Sequence, residues 1–504
     1  MTTSTSREPG RRSGILRTKP IEAILAHSSA EGDESGGGLR RHLGAKDLVG
    51  FGVGMIIGTG IFTLTGIEAK NHAGPAVTLA FLIAGLVSGL AAVCYAELAS
   101  SVPTAGSAYT YAYATIGEVF AWIIGWDLVL EFALGASVVA RGWSGYVQHL
   151  FGLPTTFFGE QSVVNLGAMG ITLLLGIVAV VGVRESARVT NAMVLIKVSV
   201  CVFIIAVGAF FIKGGNYSPF IPPSQPVEAS STAGMEQPLS QVLFGVQPSA
   251  FGIAGVMTAT AVVFFAYSGF EAVANLSEES RNPARDLPIG LLGSLALCTV
   301  LYVGVCIVIT GMVPYTEIDE GAPLAAAFSH VGLGWAGVLI SIAAVAGLTS
   351  VVLVDLVGMG RIGFAIGRDG LLPAAVAKVH PKYGTPYRIT IATTVLVMLF
   401  SGFVPLRELA DMVSIGTLFA FVIVSAAVPI LRRTRPELKR PFRVPLSPVL
   451  PIVSVLACTY LMTNLSIITW IRFVIWMALG LAVYFFWGRR NARLAHEEGR
   501  VPVG

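Results

Sequence analysis

Apolar runs of about 20 residues, each long enough to cross a bilayer as a helix, recur along nearly the whole chain. Short polar segments separate them, and the shortest separations place adjacent helices antiparallel. This pattern predicts an all-α polytopic membrane protein of twelve transmembrane helices. Their predicted positions are 48–68, 76–99, 118–148, 163–183, 190–212, 251–276, 288–313, 334–365, 388–404, 410–431, 449–466 and 469–487.

The same pattern divides the chain into a membrane domain and two polar tails. Residues 1–45 are rich in Ser, Gly and Arg, which predicts a disordered tail with a short interfacial helix at 21–27. The membrane domain covers 46–488, and residues 489–504 form a second tail. Within the domain we expect a first repeat at 46–213, a second at 251–431 and two last helices at 449–488.

Composition and charge agree with a membrane location. Of the 504 residues 54% are hydrophobic and only 12% are charged, against about 25% in a soluble domain, and the mean hydropathy is +0.76. Most of the 33 lysines and arginines lie in the tails and in alternate loops. The positive-inside rule then predicts a cell-membrane protein with both termini in the cytoplasm. The first 45 residues are too polar to be a signal peptide.

Several function classes are excluded at this stage. A net charge of +4 gives no indication of nucleic-acid binding. The five cysteines lie in apolar runs without metal spacing, and no nucleotide-binding or zinc motif occurs. No nucleophile–base pair suggests an enzyme, and we expect no cofactor and no metal.

The first predicted helix is unusually rich in glycine. Gly50, Gly54 and Gly58 are four residues apart and predict a smooth stripe for close helix contact. Gly58, Thr59 and Gly60 predict a break in mid-membrane, although an unbroken helix with a packing stripe is the alternative. Bare backbone at that depth is tolerated only where it lines an enclosed cavity.

The sixth predicted helix has a similar weak point at Ser268 and Gly269. Helices one and six occupy corresponding places if the chain repeats as helices 1–5 and 6–10. Interrupted helices in corresponding places indicate a binding site between inverted repeats. We therefore predict a 5+5 inverted-repeat core with helices 1 and 6 broken.

The ends of the broken helices predict what the site binds. Amide groups at the start of a half-helix favour a carboxylate, and carbonyl groups at the end of one favour an ammonium group. Together they match the backbone of an α-amino acid. The predicted substrate-binding residues are Ile56, Thr59, Gly60, Ile61, Phe265, Ala266, Ser268 and Asp355.

Ionisable residues inside apolar helices are functional candidates. Lys197 is in the middle of the fifth helix, with Glu131 as its candidate partner, and we assign this pair to proton coupling. A permanently paired, structural lysine is the alternative. Asp355 is alone among aliphatic residues in the eighth helix, and a carboxylate there needs a cation from the protein, a proton or the substrate.

Three further charged residues have structural interpretations. Arg141 could pair with Glu271 or Asp127, as a structural salt bridge. Glu97, near the end of the second helix, is expected to anchor a cytoplasmic gate.

The chain resembles the cationic amino acid transporter family of the amino acid–polyamine–organocation superfamily, in its bacterial branch. The resemblance covers about residues 40 to 490 and is carried by 54–62 (GMIIGTGIF), 94–99 (CYAELA), 102–109 (VPTAGSAY), 125–131 (GWDLVLE), 140–146 (ARGWSGY), 264–271 (FFAYSGFE), 278–283 (EESRNP), 368–373 (RDGLLP) and 442–451.

This resemblance implies a leucine-transporter-like fold that works by alternating access. It also implies that Lys197 stands where sodium-coupled relatives hold a cation, which favours proton coupling. Asp355 departs from the family pattern, because bacterial relatives tend to carry a bulky apolar residue there. An acid at this place favours arginine, lysine or ornithine as substrate.

The sequence therefore predicts a secondary active transporter that imports cationic amino acids with protons across a lipid bilayer. A proton symporter of small neutral amino acids and an amino acid or polyamine exchanger are alternatives. A channel or a transceptor fits two broken helices less well. The sequence leaves oligomeric state and a small membrane accessory subunit open.

Overall fold

The computed structural model describes Thr18 and residues 42–102, 107–182, 187–226, 233–245, 249–277, 279–373, 375–376 and 378–492. The predicted tail at 1–45, with its interfacial helix at 21–27, lies outside the described residues apart from Thr18 and 42–45. The same holds for the second tail beyond residue 492.

The described part of the chain is mostly helical. Its α-helices are α1 (Ala45–Ile56), α2 (Thr65–Glu68), α3 (Val77–Ser101), α4 (Ser107–Thr115), α5 (Glu118–Phe151), α6 (Leu166–Val181), α7 (Ala187–Gly208), α8 (Ala233–Glu236), α9 (Leu239–Leu243), α10 (Gly252–Val263), α11 (Pro283–Met312), α12 (Pro323–His330), α13 (Gly334–Arg368), α14 (Tyr387–Phe403), α15 (Leu406–Thr434), α16 (Val449–Thr463), α17 (Ile467–Val483) and α18 (Arg489–Asn491).

Short turns of other helix types connect or extend these helices. Tighter 3₁₀ turns cover Gly74–Ala76, Ala209–Phe211, Gly214–Tyr217, Phe264–Tyr267, Phe270–Leu276 and Tyr315–Glu317, and wider π turns cover Gly60–Leu64, Ala69–Ala73 and Tyr484–Gly488. One antiparallel pair of short strands, β1 (Gln225–Pro226) and β2 (Ser249–Ala250), lies in the long segment before α10.

Eight helical stretches of the described residues are long and apolar enough to cross a membrane. They are Gly60–Ser101, Glu118–Phe151, Thr190–Phe211, Gly252–Leu276, Pro283–Met312, Gly334–Phe364, Leu406–Thr434 and Ile467–Gly488. The helices α6, α14 and α16 are apolar but shorter. The chain is therefore a multi-pass helical membrane protein, as the hydropathy pattern predicts.

Many large apolar side chains of these helices point away from the protein. Leu86 is 63% exposed, Phe210 88% and Phe486 81%. A soluble protein does not display such side chains in continuous bands. This surface is therefore suited to contact with the acyl chains of lipids.

The long helices form two groups with a cavity between them. In the first group α11 packs against α1 and α3, and the turn Phe270–Leu276 packs against α1. In the second group α5, α6, α13 and α14 pack against one another. Helix α15 contacts both α3 and α5.

Glycines allow several of these helices to approach closely, but not in the stripe that the spacing predicts. A Cβ at Gly50 would meet nothing within 4 Å, and one at Gly58 would make only ordinary contacts, with Val351 Cγ2 at 3.9 Å and the Ile56 carbonyl oxygen at 4.0 Å. A Cβ at Gly54, in contrast, would lie 2.6 Å from Val194 Cγ2, so this glycine does allow a close approach. The expected stripe of three close contacts is thus wrong. Gly50 faces no neighbouring helix closely, and the chain leaves the helical path before Gly58.

Candidate functional site

The first helix is broken where the sequence predicts it. Helix α1 ends at Ile56, and Ile57 is extended with φ −72° and ψ 99°. The helical path resumes at Gly60 in a π turn. The amides that start this half-helix have no acceptor within their own helix, as at any helix N-terminus.

The second break lies at Ser268 and Gly269. The 3₁₀ turn Phe264–Tyr267 ends there, and Gly269 has φ +107°, which side chains of L-residues rarely adopt. The Gly269 amide donates to both carboxylate oxygens of Glu271, at 3.0 and 3.1 Å. A glycine is therefore needed at this turn for its backbone conformation.

The two breaks meet at Gly60. A Cβ at Gly60 would lie 2.3 Å from the Cβ and 2.4 Å from the Cα of Ala266, where carbon atoms do not fit. Only glycine at residue 60 lets the second half of the first helix cross the second break at this distance.

A cavity that is partly open to solvent lies between the breaks and the helices α5 and α13. Seven of the eight residues predicted to bind substrate line it, and Ile61 does not. Ile61 is fully buried one residue further on, so only its backbone amide remains a candidate. The apolar part of the wall includes Phe132, Val139 and Val351.

The carbonyl of Ile56 has a partner already. The Tyr302 hydroxyl on α11 donates to it at 2.7 Å. One lone pair of the Ile56 oxygen therefore remains for a ligand.

Three carboxyl groups line the cavity, and the lining includes no lysine or arginine among the described residues. Glu131 accepts hydrogen bonds from Ser268 at 2.9 Å and from Thr417 at 2.8 Å. The carboxyl groups of Glu131 and Glu271 lie within hydrogen-bonding reach of each other. Two carboxylates this close in a buried site would repel each other strongly if both were ionised.

Asp355, the third acid, is 9% exposed and faces the cavity from α13. Its Oδ2 lies 3.6 Å from the place where a Cβ of Gly135 would be. Within the described part of the chain it takes part in no hydrogen bond or ion pair. The absence of a side chain at Gly135 leaves room beside this carboxyl group.

Lys197 lies behind the cavity wall and is 2% exposed. Its ammonium donates to the carbonyl of Gly54 in the last turns of α1, at 2.7 Å, and its stem packs against Gly347 of α13. Asp355 attracts it electrostatically. Glu131 is not its partner, so the predicted Lys197–Glu131 pair is wrong. Lysine binds a helix carbonyl here because the C-terminal end of a half-helix is a site of negative potential.

Arg141 also has a different partner from the two expected. Its Nε lies 3.4 Å from Glu160 Oε2, and it donates to the carbonyls of Ser162 and Val404. The predicted pairing with Glu271 or Asp127 is wrong, because the side chain reaches the loop after α5 instead of the cavity. The structural interpretation of Arg141 fits this arrangement.

Glu97 forms a polar cluster at the end of α3. Arg432 of α15 binds it with two hydrogen bonds, of 2.9 and 2.6 Å, and the Val444 amide donates to it at 2.6 Å. Arg440 lies 3.7 Å away. The cluster joins α3 to α15 and to the segment before α16.

Sequence reasoning missed two features of the site. Glu271 lines the cavity, and its position three residues after Ser268 is the signal that could have found it. Thr417 was missed because nothing in its surroundings distinguishes it from other buried hydroxyl groups of α15.

A cavity between two broken helices, with an acidic lining and a lipid-facing exterior, defines a membrane permease. A family model described as amino acid permease matches residues 43–493, and the chain belongs to this family, within the amino acid–polyamine–organocation superfamily. It is a transporter and not an enzyme.

Relatives with known names differ in what they carry. The chain is 42% identical to the methylthioribose transporter of Bacillus subtilis (strain 168) over 492 residues, with 96% of this chain and 99% of that protein covered. It is 41% identical to the branched-chain amino acid permease BcaP of the same organism, again with 96% and 99% covered. It is 37% identical to the vacuolar cationic amino acid transporter 4 of Arabidopsis thaliana, with 79% and 64% covered.

Proposed function

We propose that the chain imports amino acids by proton-coupled alternating access, and that its preferred substrates carry a cationic side chain. The observation that carries this proposal is the carboxyl group of Asp355. It faces the cavity without a hydrogen-bonding partner among the described residues, and two further acids lie in the same lining.

The membrane topology in this proposal has twelve spans with both termini inside. The shorter helices α6, α14 and α16 then also cross the membrane. At 1.5 Å per residue the 17 residues of α14 cover about 25 Å, slightly less than a hydrocarbon core of about 30 Å. Short flanking turns are sufficient for the rest. Helix α1 and the half-helix from Gly60 together make the first span.

A five-plus-five repeat agrees with how the helices group. In this topology spans 1, 2, 6 and 7 form the first group of packed helices, and spans 3, 4, 8 and 9 form the second. Each group thus takes the same members from both proposed repeats, and the cavity lies between the groups. Relative movement of two such groups is the usual route of alternating access.

In the proposed complex the substrate backbone lies between the two breaks. Its carboxylate accepts from the amides of Thr59, Gly60 and Ile61, at the positive end of the half-helix dipole. Its ammonium group donates to the carbonyls near Ile56 and Phe265. The side chain then extends toward α13.

Asp355 gives the side-chain preference. A cation 4 Å from a carboxylate gains about 4 kcal/mol at an effective dielectric constant near 20, before desolvation costs. If only a third of that remains, the preference for arginine over a neutral analogue is about tenfold.

Proton coupling is assigned to Lys197 and to the acidic pair Glu131 and Glu271. The Lys197 ammonium holds the end of α1 through Gly54 and is attracted by Asp355. A cationic substrate competes with Lys197 for Asp355, so that substrate binding and the lysine are linked. Loss of the hydrogen bond from Lys197 to the Gly54 carbonyl releases α1, which forms one side of the cavity.

A neutral substrate is the second candidate, and the apolar wall of Phe132, Val139 and Val351 favours it. Both Bacillus relatives described above are named for substrates without a cationic side chain. In this case Asp355 is protonated or is neutralised by Lys197.

Uptake into proteoliposomes under an inward proton gradient separates the candidates. Labelled arginine, leucine, alanine and methylthioribose are compared in the wild type and in Asp355→Asn and Asp355→Met. We expect arginine uptake by the wild type and a loss of at least about tenfold in both variants. The control is Ser350→Ala, because this hydroxyl bonds only the Gly347 carbonyl of its own helix. Uptake of leucine or methylthioribose without arginine would refute the cationic preference.

Lys197→Ala tests the coupling separately. We expect this variant to lose accumulation driven by the pH gradient and to keep part of the exchange of internal for external substrate. Unchanged accumulation would exclude Lys197 from the coupling mechanism.

A further inference from the structure

Asp127 is a buried acid outside the group of residues to which we assign substrate binding and proton coupling. It lies on α5 and is 0% exposed. Neither of its oxygens has a hydrogen-bonding partner among the described residues. Its close neighbour is Gly416 on α15, where a Cβ would lie 2.8 Å from Asp127 Oδ1.

An acid in such surroundings needs an explanation. Burial of an ionised carboxylate without a partner costs many kcal/mol, so the group carries a proton in this conformation. An apolar residue of similar size would pack here at lower cost, because burial of even a neutral polar group without a partner destabilises the folded state by about 1–3 kcal/mol. Unlike an apolar residue, a carboxyl group can release a proton, and no hydrogen bond restrains the proton of this one.

The neighbours of Asp127 form a row of acids that ends in the cavity. Glu131 is four residues further along α5, one helical turn or about 6 Å in axial rise. Glu131 in turn lies within hydrogen-bonding reach of Glu271. Thr417, which donates to Glu131, directly follows Gly416, the residue that contacts Asp127. The same stretch of α15 therefore borders both acids.

Two buried tyrosines extend this row of acids away from the cavity. Tyr95 lies within electrostatic range of Asp127, Glu131 and Glu271. Its ring contacts that of Tyr111 edge-on, with 6.5 Å between centroids, and the Tyr111 hydroxyl is also buried without a partner. Asp127 lies between Glu131 and the end of α5 at Glu118. In the proposed topology that end is the cytoplasmic one.

We infer that Asp127 is a proton-relay residue that takes the transported proton from the Glu131–Glu271 pair and delivers it to the cytoplasmic side. This inference rests on the proposed proton coupling. In the relay, protonated Asp127 releases its proton toward the cytoplasm and becomes a carboxylate. The proton shared by Glu131 and Glu271 then moves to Asp127, and the pair is recharged by a proton from outside. One proton moves inward per cycle, and no bond other than O–H bonds is made or broken.

The test uses the full-length protein in proteoliposomes that contain a pH-sensitive dye. Three quantities are measured with the substrate that the wild type transports: accumulation driven by a pH gradient, substrate-dependent proton entry, and exchange without a gradient. The variant is Asp127→Asn, which keeps the shape of the side chain and cannot release a proton. Ser137→Ala is the matched control, since Ser137 is also buried on α5 and bonds only backbone carbonyls, of Ala133 and Val397.

In Asp127→Asn we expect accumulation and proton entry to fall by at least about tenfold, in the range of lost acid–base groups. Exchange should stay within about twofold of the wild type, because substrate binding and the conformational change do not need the relay. In infrared difference spectra of the wild type, a carboxylic-acid band that changes with substrate should be missing in the variant.

The remaining outcomes are each decisive. Normal accumulation in Asp127→Asn would overturn the relay and leave Asp127 as a packing residue. Loss of exchange together with accumulation, with the infrared band unchanged, would also overturn it, because the role would then be structural. Absence of substrate-dependent proton entry in the wild type would instead refute the proposed proton coupling itself.

Discussion

Replacement of Gly60 by alanine tests how the two broken helices create the site. Gly60 crosses the second break so closely that a Cβ would lie 2.3 Å from the Cβ and 2.4 Å from the Cα of Ala266. Non-bonded carbon atoms prefer about 3.5–4.0 Å. Because one of the atoms belongs to the backbone, no side-chain rotation relieves the clash, and the segments must move apart by roughly 1 Å.

The energetic consequences are of two kinds. Overpacking of this sort costs about 1–3 kcal/mol, and the replacement of glycine within a helix recovers about 0.5–1 kcal/mol. The net loss of stability is then about 1 kcal/mol, within a range of roughly 0–2.5 kcal/mol. Transport should suffer more, because a displacement of about 1 Å in groups that position a substrate can cost up to about 100-fold in rate.

Gly50 is the matched control for Gly60→Ala. It lies on α1 outside the cavity lining, and a Cβ there would meet nothing within 4 Å. We expect Gly50→Ala to be as stable as the wild type or slightly more stable, and to transport at near-normal rates.

The assays are thermal unfolding in detergent and uptake into proteoliposomes. Gly60→Ala should unfold at a temperature a few degrees lower than Gly50→Ala and should transport at least about tenfold more slowly. Equal results for Gly60→Ala and Gly50→Ala would refute the close crossing. Reduced stability with normal uptake would refute the link between the crossing and the site.

Two further predictions concern charged groups away from the cavity. Glu97→Gln should destabilise the protein by about 1.5–3 kcal/mol, because Arg432 loses a charged hydrogen-bonding partner but its side chain, 28% exposed, still reaches water; thermal unfolding measures this, with the more exposed Glu437→Gln as control. Burial raises the pKa of Glu160 above 4.5, and the attraction of Arg141 offsets this only in part. The free energy of unfolding that this shift contributes is fully present below pH 4.5. It is lost as the pH rises through the pKa of Glu160 in the folded protein. The unfolding temperature of Glu160→Gln should therefore lack this decline, and an identical pH profile for the variant and the wild type would contradict the prediction.

The broken helices could be predicted because glycine is informative at special backbone positions. The weak points at Gly58–Gly60 and at Ser268–Gly269 are visible in the sequence, and the second is a turn with φ +107° that glycine adopts readily. The stripe of Gly50, Gly54 and Gly58 was predicted from helical spacing alone. Residues four apart no longer lie on one helix face beyond Ile57, because the chain is extended there.

Partners of buried charges were harder to predict, since they depend on the relative rotation and depth of helices. The sequence pairs Lys197 with Glu131 because each is an ionisable residue inside an apolar helix, yet Lys197 contacts the backbone at Gly54. It pairs Arg141 with acids of the helices, whereas Arg141 reaches Glu160 in a loop. Sequence patterns record which residues are costly to bury, but they do not record backbone carbonyls as partners.

Under the proposed proton coupling, the acidic lining should make the number of transported protons depend on the charge of the substrate. Glu131, Glu271 and Asp355 line one cavity, and Lys197 is the cation that acts on Asp355. Each unneutralised pair of charges at about 4 Å costs about 4 kcal/mol at an effective dielectric constant near 20, so the cavity must be neutralised for the substrate to bind. A cationic side chain neutralises Asp355 directly, whereas a neutral side chain needs a proton on Asp355 instead.

We therefore expect one proton fewer per molecule of arginine than per molecule of leucine, if both are transported. The measurement is the pH gradient that stops net substrate flux at a fixed substrate gradient and membrane potential, and Asp355→Asn should remove the difference. Equal proton numbers for the two substrates in the wild type would contradict this account, because Asp355 would then keep the same charge whichever side chain lies beside it.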